Sequence, residues 1–384
     1  MTTILAAVTS LAIALIAWHF LLWPRLLARA ARRLPPTPPA IAATLPRIAL
    51  VMPAHNEAAF IAAKVANLAA LDYPRDRLRV VIACDGCTDG TAALARAALA
   101  ATDLDAVVLD HARNRGKVAM LNETIAAVED DIVALTDVSA MLAPDALRRA
   151  AAWFASPDLG AVGGGYALDR PGSEGERAYW AMQTAVKRGE AALGAPLGMH
   201  GAFWAFRRCA WAPLPADTIN DDFVLPMTMF LRGWRLAYDP TIAVHEAERS
   251  DPAQDARRRA RIAAGNAQQL LRLPGLLHPR HGGVALAFAS GKALRVAMPA
   301  IAAVALAGTL ALAPQSPVFA ALAICEAAAI ALALCGARLG ARAPKPLAVL
   351  HYAAAGTLAS ARGVARYLLS TLLGRTAQPW RRAA

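Results

Sequence analysis

The stretch from Arg79 to Thr91 places the strongest constraint on the fold of this chain. It begins as a run of apolar, mostly β-branched residues and breaks into two Asp-Gly pairs before an alanine-rich helical pattern starts at Ala92. In an open α/β sheet, ligands bind beyond the carboxyl ends of the strands. Asp85 stands at such an end and is therefore placed to touch a ligand, although two Asp-Gly pairs are also common in ordinary turns.

Three further stretches repeat this arrangement of an apolar run, a polar cluster and a helical pattern. They are Ile48 to Met52 before Pro53-Ala54-His55-Asn56-Glu57, Ala106 to Leu109 before Arg113-Asn114-Arg115-Gly116-Lys117, and Ile132 to Leu135 before Thr136-Asp137-Val138-Ser139. Four such strands predict one parallel sheet with a polar crevice along one edge.

These clusters, with others further along the chain, resemble the membrane-anchored inverting glycosyltransferases of family 2. That group contains the cellulose, chitin, hyaluronan and poly-N-acetylglucosamine synthases. The resemblance implies a GT-A-like mixed α/β sheet and a hexosyltransferase activity, and it runs in order from about Arg47 to Arg272. The matching residues are Pro53 with Asn56-Glu57, Asp85 to Thr91, Gly116-Lys117 with Leu121-Asn122, Thr136-Asp137, Gly201-Ala202 with Arg207-Arg208, and Asp221-Asp222 with Leu225.

The composition predicts a membrane protein. Hydrophobic residues make up 57% of the chain, which is too high for a purely soluble enzyme. The net charge of +12 does not indicate a nucleic-acid partner, because basic residues cluster directly after the first apolar segment, from Arg25 to Arg33. Such clusters are typical of cytoplasmic positions beside a membrane. Five cysteines, an odd number, favour a reducing compartment for the main domain.

The sequence therefore predicts a multi-pass protein of the inner (plasma) membrane with a cytoplasmic catalytic domain. Residues 1–24 form an uncleaved N-terminal anchor, because the apolar segment is long enough to span a bilayer and its charges follow it. Residues 25–45 form a basic, proline-rich linker, and residues 46–280 form the catalytic domain. Residues 281–384 contain an interfacial helix, two spans at about 293–312 and 317–337, and a helix at about 346–373 that is either a further span or interfacial.

The resemblance implies how a nucleotide-sugar donor is bound. Pro53, Asn56 and Glu57 lie at the mouth of the crevice, where Glu57 helps to hold the nucleotide. A carboxylate favoured by the dipole of a helix N-terminus is an equal alternative for Glu57. Asp85 corresponds to the residue that receives the uracil edge of a UDP-sugar. Lys117 is placed to meet the diphosphate, and the alternative is a solvated surface lysine.

Asp137 is the expected ligand of a divalent cation, Mg²⁺ or Mn²⁺. Family members often carry Asp-x-Asp here, but this chain has Asp137-Val138-Ser139 and lacks the second carboxylate. Magnesium accepts one or two carboxylates when waters and phosphates complete its shell, so the departure is compatible with binding. His245 is a candidate further ligand, although a lone histidine after a strand is more often structural. Cys84-x-x-Cys87 has the spacing of a redox or zinc motif, which the Asp-Gly context disfavours.

Two further segments complete the candidate site by resemblance. Asp222 corresponds to the catalytic base and Asp221 to its supporting neighbour, whereas a helix N-cap is the structural alternative for this segment. Arg258 and Arg261 occupy the Gln and Arg positions of the Gln-x-x-Arg-Trp motif of polymer synthases, with Ile262 in place of the Trp. Arginines there pair with the leaving diphosphate or, alternatively, face acidic lipid headgroups.

These features predict a membrane-bound inverting transferase that moves a sugar from a UDP-linked donor to a hydroxyl of a saccharide or lipid-linked acceptor. Ile262 has no aromatic face to hold a growing chain, which favours the addition of one or a few sugars. Phe203 and Trp204 are candidates for a replacement platform, with core packing as the alternative. A processive synthase subunit and a catalytically inactive nucleotide-binding partner stay open, as does an oligomer or an accessory membrane subunit.

Overall fold

A computed structural model describes residues 2–33, 44–168, 174–247 and 252–374. The proline-rich segment Leu34 to Pro39, predicted as a stiff linker, lies outside the described residues. The chain divides into two compact units. Within the described residues, the sheet unit takes in 27–33, 44–168, 174–247 and 278–285, and the helical unit takes in 2–26, 252–277 and 286–374.

The sheet unit is built around one sheet with the strand order β3-β2-β1-β4-β7-β6-β8-β5. Its strands are β1 (Ile48–Ala54), β2 (Leu78–Asp85), β3 (Asp105–His111), β4 (Ile132–Thr136), β5 (Ala140–Leu142), β6 (Leu159–Leu168), β7 (Phe203–Arg207) and β8 (Arg235–Glu246).

Two of the described α-helices precede the first strand, six lie between strands, and the others follow β8. The helices are α1 (Thr2–Ala17), α2 (Trp23–Arg33), α3 (Ile61–Ala69), α4 (Thr91–Leu99), α5 (Lys117–Ala127), α6 (Ala146–Trp153), α7 (Glu174–Ala192), α8 (Asp221–Leu231), α9 (Pro252–Arg272), α10 (Gly283–Ala287), α11 (Leu294–Leu312), α12 (Pro317–Leu339) and α13 (Lys345–Leu372).

The four strands predicted from the sequence form a parallel half of the sheet, which confirms that prediction. β1 pairs with β2 and β4, and β2 pairs with β3, all in parallel. Parallel neighbours need a long crossover, and α3, α4 and α5 supply one after each of the first three strands. Because β7 runs antiparallel to β4 and β6, the complete sheet is mixed. The carboxyl ends of β1 to β4 therefore meet at one edge.

Burial explains why the strands in this half of the sheet appear in the sequence as nearly continuous apolar runs. Leu50, Met52, Val80 and Ile82 are fully buried in one core cluster beneath the helices. Parallel sheets are covered by helices on both faces, so their strands do not alternate between apolar and polar residues. Full burial of such a side chain contributes about 1.5–3 kcal/mol.

The helical unit contains long apolar helices. Among the described residues, three helices are long and apolar enough to cross a membrane: Thr2–Arg32, Gly283–Gln315 and Pro317–Leu339. The second begins ten residues before the predicted span at 293–312, so the segment expected to form a separate interfacial helix is continuous with it. α13 is not one of the three. Its Gly363 packs so closely on α9 that an added Cβ would lie on the carbonyl of Ala260.

Candidate active site

Asp85, at the end of β2, fixes the loop that precedes α5. Its carboxylate accepts hydrogen bonds from the backbone N–H groups of Arg115 and Gly116, both at 2.7 Å, and the residue is only 4% exposed. Paired backbone donors of this kind suit a buried carboxylate, which would otherwise carry a large desolvation penalty. The resemblance-based contact between Asp85 and a uracil ring stays a prediction.

Gly86 allows this loop to come close to the strand. Its φ is +61°, and a Cβ at this position would lie 2.3 Å from the backbone nitrogen of Asn114. Both the conformation and the space therefore require glycine. The Asp-Gly pair identified in the sequence thus has a specific role. Asp85 binds the loop before α5, and Gly86 allows that loop to pack against the end of β2.

The turns that follow β1 and β2 are joined by hydrogen bonds. Asn56 accepts one through its side chain from the N–H of Thr88 at 2.8 Å, and the N–H of Glu57 donates to the Thr91 hydroxyl at 2.8 Å. These bonds hold the crevice mouth in one shape. Pro53 is half-buried at the end of β1, and Glu57 is half-buried four residues before α3 begins. Donor contacts at these positions stay predictions.

Lys117 lies at the centre of an acidic group. Its Nζ is 3.2 Å from Asp137 Oδ1 and 3.6 Å from Asp221 Oδ2, and its side chain is 20% exposed. The alternative of a solvated surface lysine is therefore wrong. Burial by itself would lower the pKa of Lys117, but the carboxylates of Asp137, Asp221 and Asp222 together hold it above its ordinary value. The ammonium group is fully charged at neutral pH.

Gly201 brings two predicted functional carboxylates together. A Cβ on Gly201 would lie 3.6 Å from Asp222 Oδ2 and 3.8 Å from Asp137 Oδ2. Asp137 is anchored by its own N–H, which donates to the carbonyl of Ala202 at 3.2 Å, while its side chain is 41% exposed. The carboxylates of Asp137 and Asp222 therefore flank one open position on the surface of the glycine-rich turn.

The adjacent acids at the start of α8 point to different partners. Asp221 is 4% exposed and directs its carboxylate to Lys117, whereas Asp222 faces Gly201 and remains half-buried. Asn220 occupies the N-cap position, but its side chain makes no capping hydrogen bond. The helix dipole favours both acids in the first turn. Capping alone does not account for this segment.

Two buried charges on α7, which sequence reasoning missed, hold the backbone beside Asp222. Lys187 donates to the carbonyl groups of Leu197 and Gly198 at 2.5 and 2.9 Å, and Glu190 accepts from the N–H of Leu197 at 2.9 Å. The N–H of the following residue, Met199, donates to the carbonyl of Asp222 at 2.7 Å. The spacing of Lys187 and Glu190 by three residues within an otherwise ordinary helix was the available signal.

The partly exposed carboxylate of Asp137 can bind a cation that is shared with a phosphate ligand. Among the described residues, no group of three or more His, Cys, Asp or Glu is arranged to hold a metal ion. His245 is an exposed residue of β8 that lies opposite Met141 of β5. Asp137 can supply one oxygen ligand, and a hard cation completes its shell with phosphate oxygens and water.

Burial of Cys84 disfavours a reactive thiol at the first position of the Cys84-x-x-Cys87 spacing. Both cysteines are free, and burial in β2 raises the pKa of Cys84 to about 12. Thiols react and bind metals as thiolates, so a raised pKa disfavours both roles.

The predicted aromatic platform and the predicted arginine pair have different outcomes. Phe203 and Trp204 are 0% and 1% exposed in β7, so the proposed sugar platform is wrong and both rings belong to the core. Their strand lies inside the sheet, between β4 and β6, and runs antiparallel to both. Arg258 and Arg261 lie in α9 of the helical unit, and their role towards a diphosphate stays a prediction.

The sequence profile described as "Glycosyltransferase like family 2" matches residues 46–265, more than half of the chain. The chain belongs to glycosyltransferase family 2. This match covers Asp85, Lys117, Asp137 and the Asp221-Asp222 pair, and so spans the whole cluster at the sheet edge.

Individual relatives are named as synthases of a glycolipid and of a polysaccharide. The chain is 32% identical over 199 residues to the beta-monoglucosyldiacylglycerol synthase of Synechocystis sp., covering 50% of this chain and 42% of the relative. It is 27% identical over 201 residues to the poly-beta-1,6-N-acetyl-D-glucosamine synthase of Staphylococcus aureus, covering 50% and 48%. The chain thus covers less than half the length of either relative.

A solved structure agrees over nearly the whole chain. The mannosyltransferase PcManGT from Pyrobaculum calidifontis, determined in complex with GDP-Man and Mn²⁺, superposes with a TM-score of 0.71 at 28% identity. The match covers 94% of this chain and 99% of that one. Together with the family match, it confirms the GT-A glycosyltransferase fold that the sequence resemblance implied.

Proposed function

We propose that this family 2 glycosyltransferase is a membrane-bound, inverting enzyme that transfers one hexosyl group at a time from a nucleotide sugar to an acceptor hydroxyl. One observation carries the proposal. Asp137 and Asp221 pair with Lys117 at the carboxyl edge of the sheet, and Asp222 faces Asp137 across the open position at Gly201. This combination provides a base, a cation ligand and an ammonium group within one crevice.

In this mechanism Asp222 accepts the proton of the acceptor hydroxyl as that oxygen attacks the anomeric carbon. A positioned general base of this kind contributes about 10²–10⁴-fold to the rate. Asp221 keeps Lys117 oriented, and the Lys117 ammonium group neutralises charge on the departing diphosphate. A single displacement inverts the anomeric centre, and no carboxylate needs to bond to the sugar.

Asp137 would hold a divalent cation with the donor diphosphate, as the exposure of its carboxylate permits. When bound, Mg²⁺ or Mn²⁺ there would offset the negative charge that develops on the leaving group. Support comes from PcManGT, whose structure contains Mn²⁺. The replacement of the second acid by Ser139 also keeps an inactive nucleotide-binding protein as the alternative, and donor hydrolysis by purified protein separates the two.

The donor is a nucleoside diphosphate sugar, whose base is either uracil or guanine. The family resemblance of Asp85 favours UDP, whereas PcManGT binds GDP-Man. The acceptor is a saccharide or a lipid-linked hydroxyl, a choice supported by relatives named as synthases of a glucosyldiacylglycerol and of a poly-N-acetylglucosamine. We favour short products, because Ile262 lacks an aromatic face and the rings of Phe203 and Trp204 are buried. A ladder of long polymer made by purified protein would contradict this.

We further propose that the three candidate spans anchor the protein in the membrane, that the catalytic domain is cytoplasmic and that α13 lies at the membrane interface. α13 carries exposed Arg362 and Arg366 beside exposed Leu358 and Leu369, a pattern suited to a helix that lies along a bilayer surface. A cysteine placed at Arg366 should react with an impermeant thiol reagent in inside-out vesicles. Labelling only from the opposite face would contradict this topology.

A donor panel tests the proposed function directly. Membranes and purified protein would receive UDP- and GDP-linked hexoses, including GDP-mannose, together with lipid extract, and products would be identified by mass spectrometry. Proton NMR of the new linkage should show the anomeric configuration opposite to that of the donor. The Asp222→Asn protein is the matched control. A product with the anomeric configuration of the donor would overturn the single-displacement mechanism. Donor binding without any turnover would favour the alternative of an inactive nucleotide-binding protein.

A further inference from the structure

Lys64 is a buried lysine that neither the family motifs nor the proposed mechanism uses. It lies on α3, and its side chain is fully shielded from solvent. Lysine is almost never fully buried unless it is paired, because its ammonium group loses hydration. An apolar residue of similar size would fill this position at lower cost, so the amine is expected to have a function.

The amine ties together the two ends of the segment that carries Asp137. Lys64 Nζ donates to the hydroxyl of Thr136 at 2.9 Å and to the carbonyl of Ala140. The Thr136 hydroxyl in turn donates to the carbonyl of Ala202 at 2.9 Å, which also accepts the N–H of Asp137. Lys64 therefore lies directly beneath the turn from β4 to β5.

A second contact also joins α3 to β5. One helical turn further along, the side chain of Asn67 donates to the carbonyl of Leu142 and accepts from its N–H, both at 2.9 Å. That pair already secures the helix to the strand. The additional bonds from Lys64 act only on the residues flanking Asp137.

We propose that Lys64 is a positioning residue that holds Asp137 in the orientation required to bind a cation together with the donor diphosphate; this inference rests on the proposed function. Because Ser139 replaces the second acid of the usual motif, Asp137 is the sole carboxylate of that motif. The placement of a single ligand then determines the affinity of the site. Residues that orient metal ligands typically affect affinity by about 10- to 100-fold.

The experiment compares Lys64→Met with Asn67→Ala in the full-length protein in detergent. Calorimetry measures binding of UDP and of GDP with and without Mn²⁺, and thermal unfolding measures stability. For Lys64→Met we expect the Mn²⁺-dependent gain in nucleotide affinity to fall by about 10- to 100-fold, with metal-free nucleotide binding unchanged. Asn67→Ala should lower the unfolding temperature and keep the wild-type response to Mn²⁺.

Thr136→Val provides a second variant that retains shape and removes the hydroxyl that accepts from Lys64 and donates to Ala202. Like Lys64→Met, it should reduce the Mn²⁺-dependent gain in nucleotide affinity. It therefore tests the proposal even if Lys64→Met fails to fold. Wild-type Mn²⁺ affinity in a folded Lys64→Met or Thr136→Val protein would overturn the positioning role alone. A wild-type protein whose nucleotide binding is insensitive to Mn²⁺ would overturn the proposed cation site as well.

Discussion

The carboxylate of Asp85 accepts a 2.7 Å hydrogen bond from the backbone N–H of Gly116, thirty-one residues away in the sequence. This bond joins the end of β2 to the residue that directly precedes Lys117 and α5. The Asp-Gly motif therefore contacts the backbone of the loop before Lys117, the residue proposed to meet the diphosphate. Nucleotide binding and loop order should therefore respond together when Asp85 is changed.

Asp85→Ala should weaken UDP or GDP binding and also lower stability. Two buried backbone donors lose their acceptor, which costs about 1–3 kcal/mol for each unsatisfied group. Calorimetry and thermal unfolding measure the two effects. Asp110→Ala on the neighbouring strand is the control, because its exposed ion pair with Arg96 should contribute little. Normal nucleotide binding by Asp85→Ala would refute the coupling.

Asp222→Asn should reduce transfer by about 10²-fold or more while nucleotide binding stays near wild type. The reason is that the proposed base meets the acceptor hydroxyl and not the nucleotide. Steady-state rates with saturating donor, combined with calorimetry, separate the two quantities. A variant that kept most of its activity would show that another group takes the proton.

Chelation should abolish transfer, and added Mg²⁺ or Mn²⁺ should restore it, because the leaving diphosphate needs charge neutralisation. Asp137→Asn should raise the Mn²⁺ concentration required for half-maximal rate. The measurement is a metal titration of wild type and variant at fixed donor concentration. Full turnover in excess chelator would remove the role assigned to Asp137.

Gly201→Ala should fold normally and lose most activity. The new methyl group would make ordinary contacts of 3.6 and 3.8 Å with Asp222 and Asp137, so neither strain nor a clash is expected. It would nevertheless occupy the space between the two acids, where donor and acceptor must meet. Unfolding temperature and transfer rate test both parts, and an active Gly201→Ala protein would place the reaction elsewhere.

Lys64 should make stability depend on pH. Burial lowers the pKa of Lys64 to about 7, against the opposing effect of Asp137 and Glu246. Between about pH 7 and the ordinary lysine value of about 10.4, the unfolded chain binds the extra proton, so stability should rise with pH in that range and be lost as pH falls through 7. The unfolding temperatures of wild type and Lys64→Met would be measured from pH 6 to 9. As pH rises, the unfolding temperature of the wild type should increase relative to that of Lys64→Met. A flat difference would contradict the lowered pKa.

The apolar runs at Ile48, Arg79, Ala106 and Ile132 were sufficient to predict the parallel strands, because buried strands impose their composition locally. The same logic placed the polar clusters of Asp85, Lys117 and Asp137 at one edge, since the ends of parallel strands must meet there. These inferences require only neighbouring residues and the rules of α/β connections.

Long-range packing decided the rest. Only the folded chain shows that Asp222 and Asp137 face each other across Gly201, that Lys117 is enclosed by acids, and that Phe203 and Trp204 are core residues. The role of Lys64 also depends on a contact with a strand about seventy residues away, for which the spacing in α3 gives no signal. Local sequence fixes which segments become strands and helices, whereas the partners of a buried charge depend on which distant segments pack beside it.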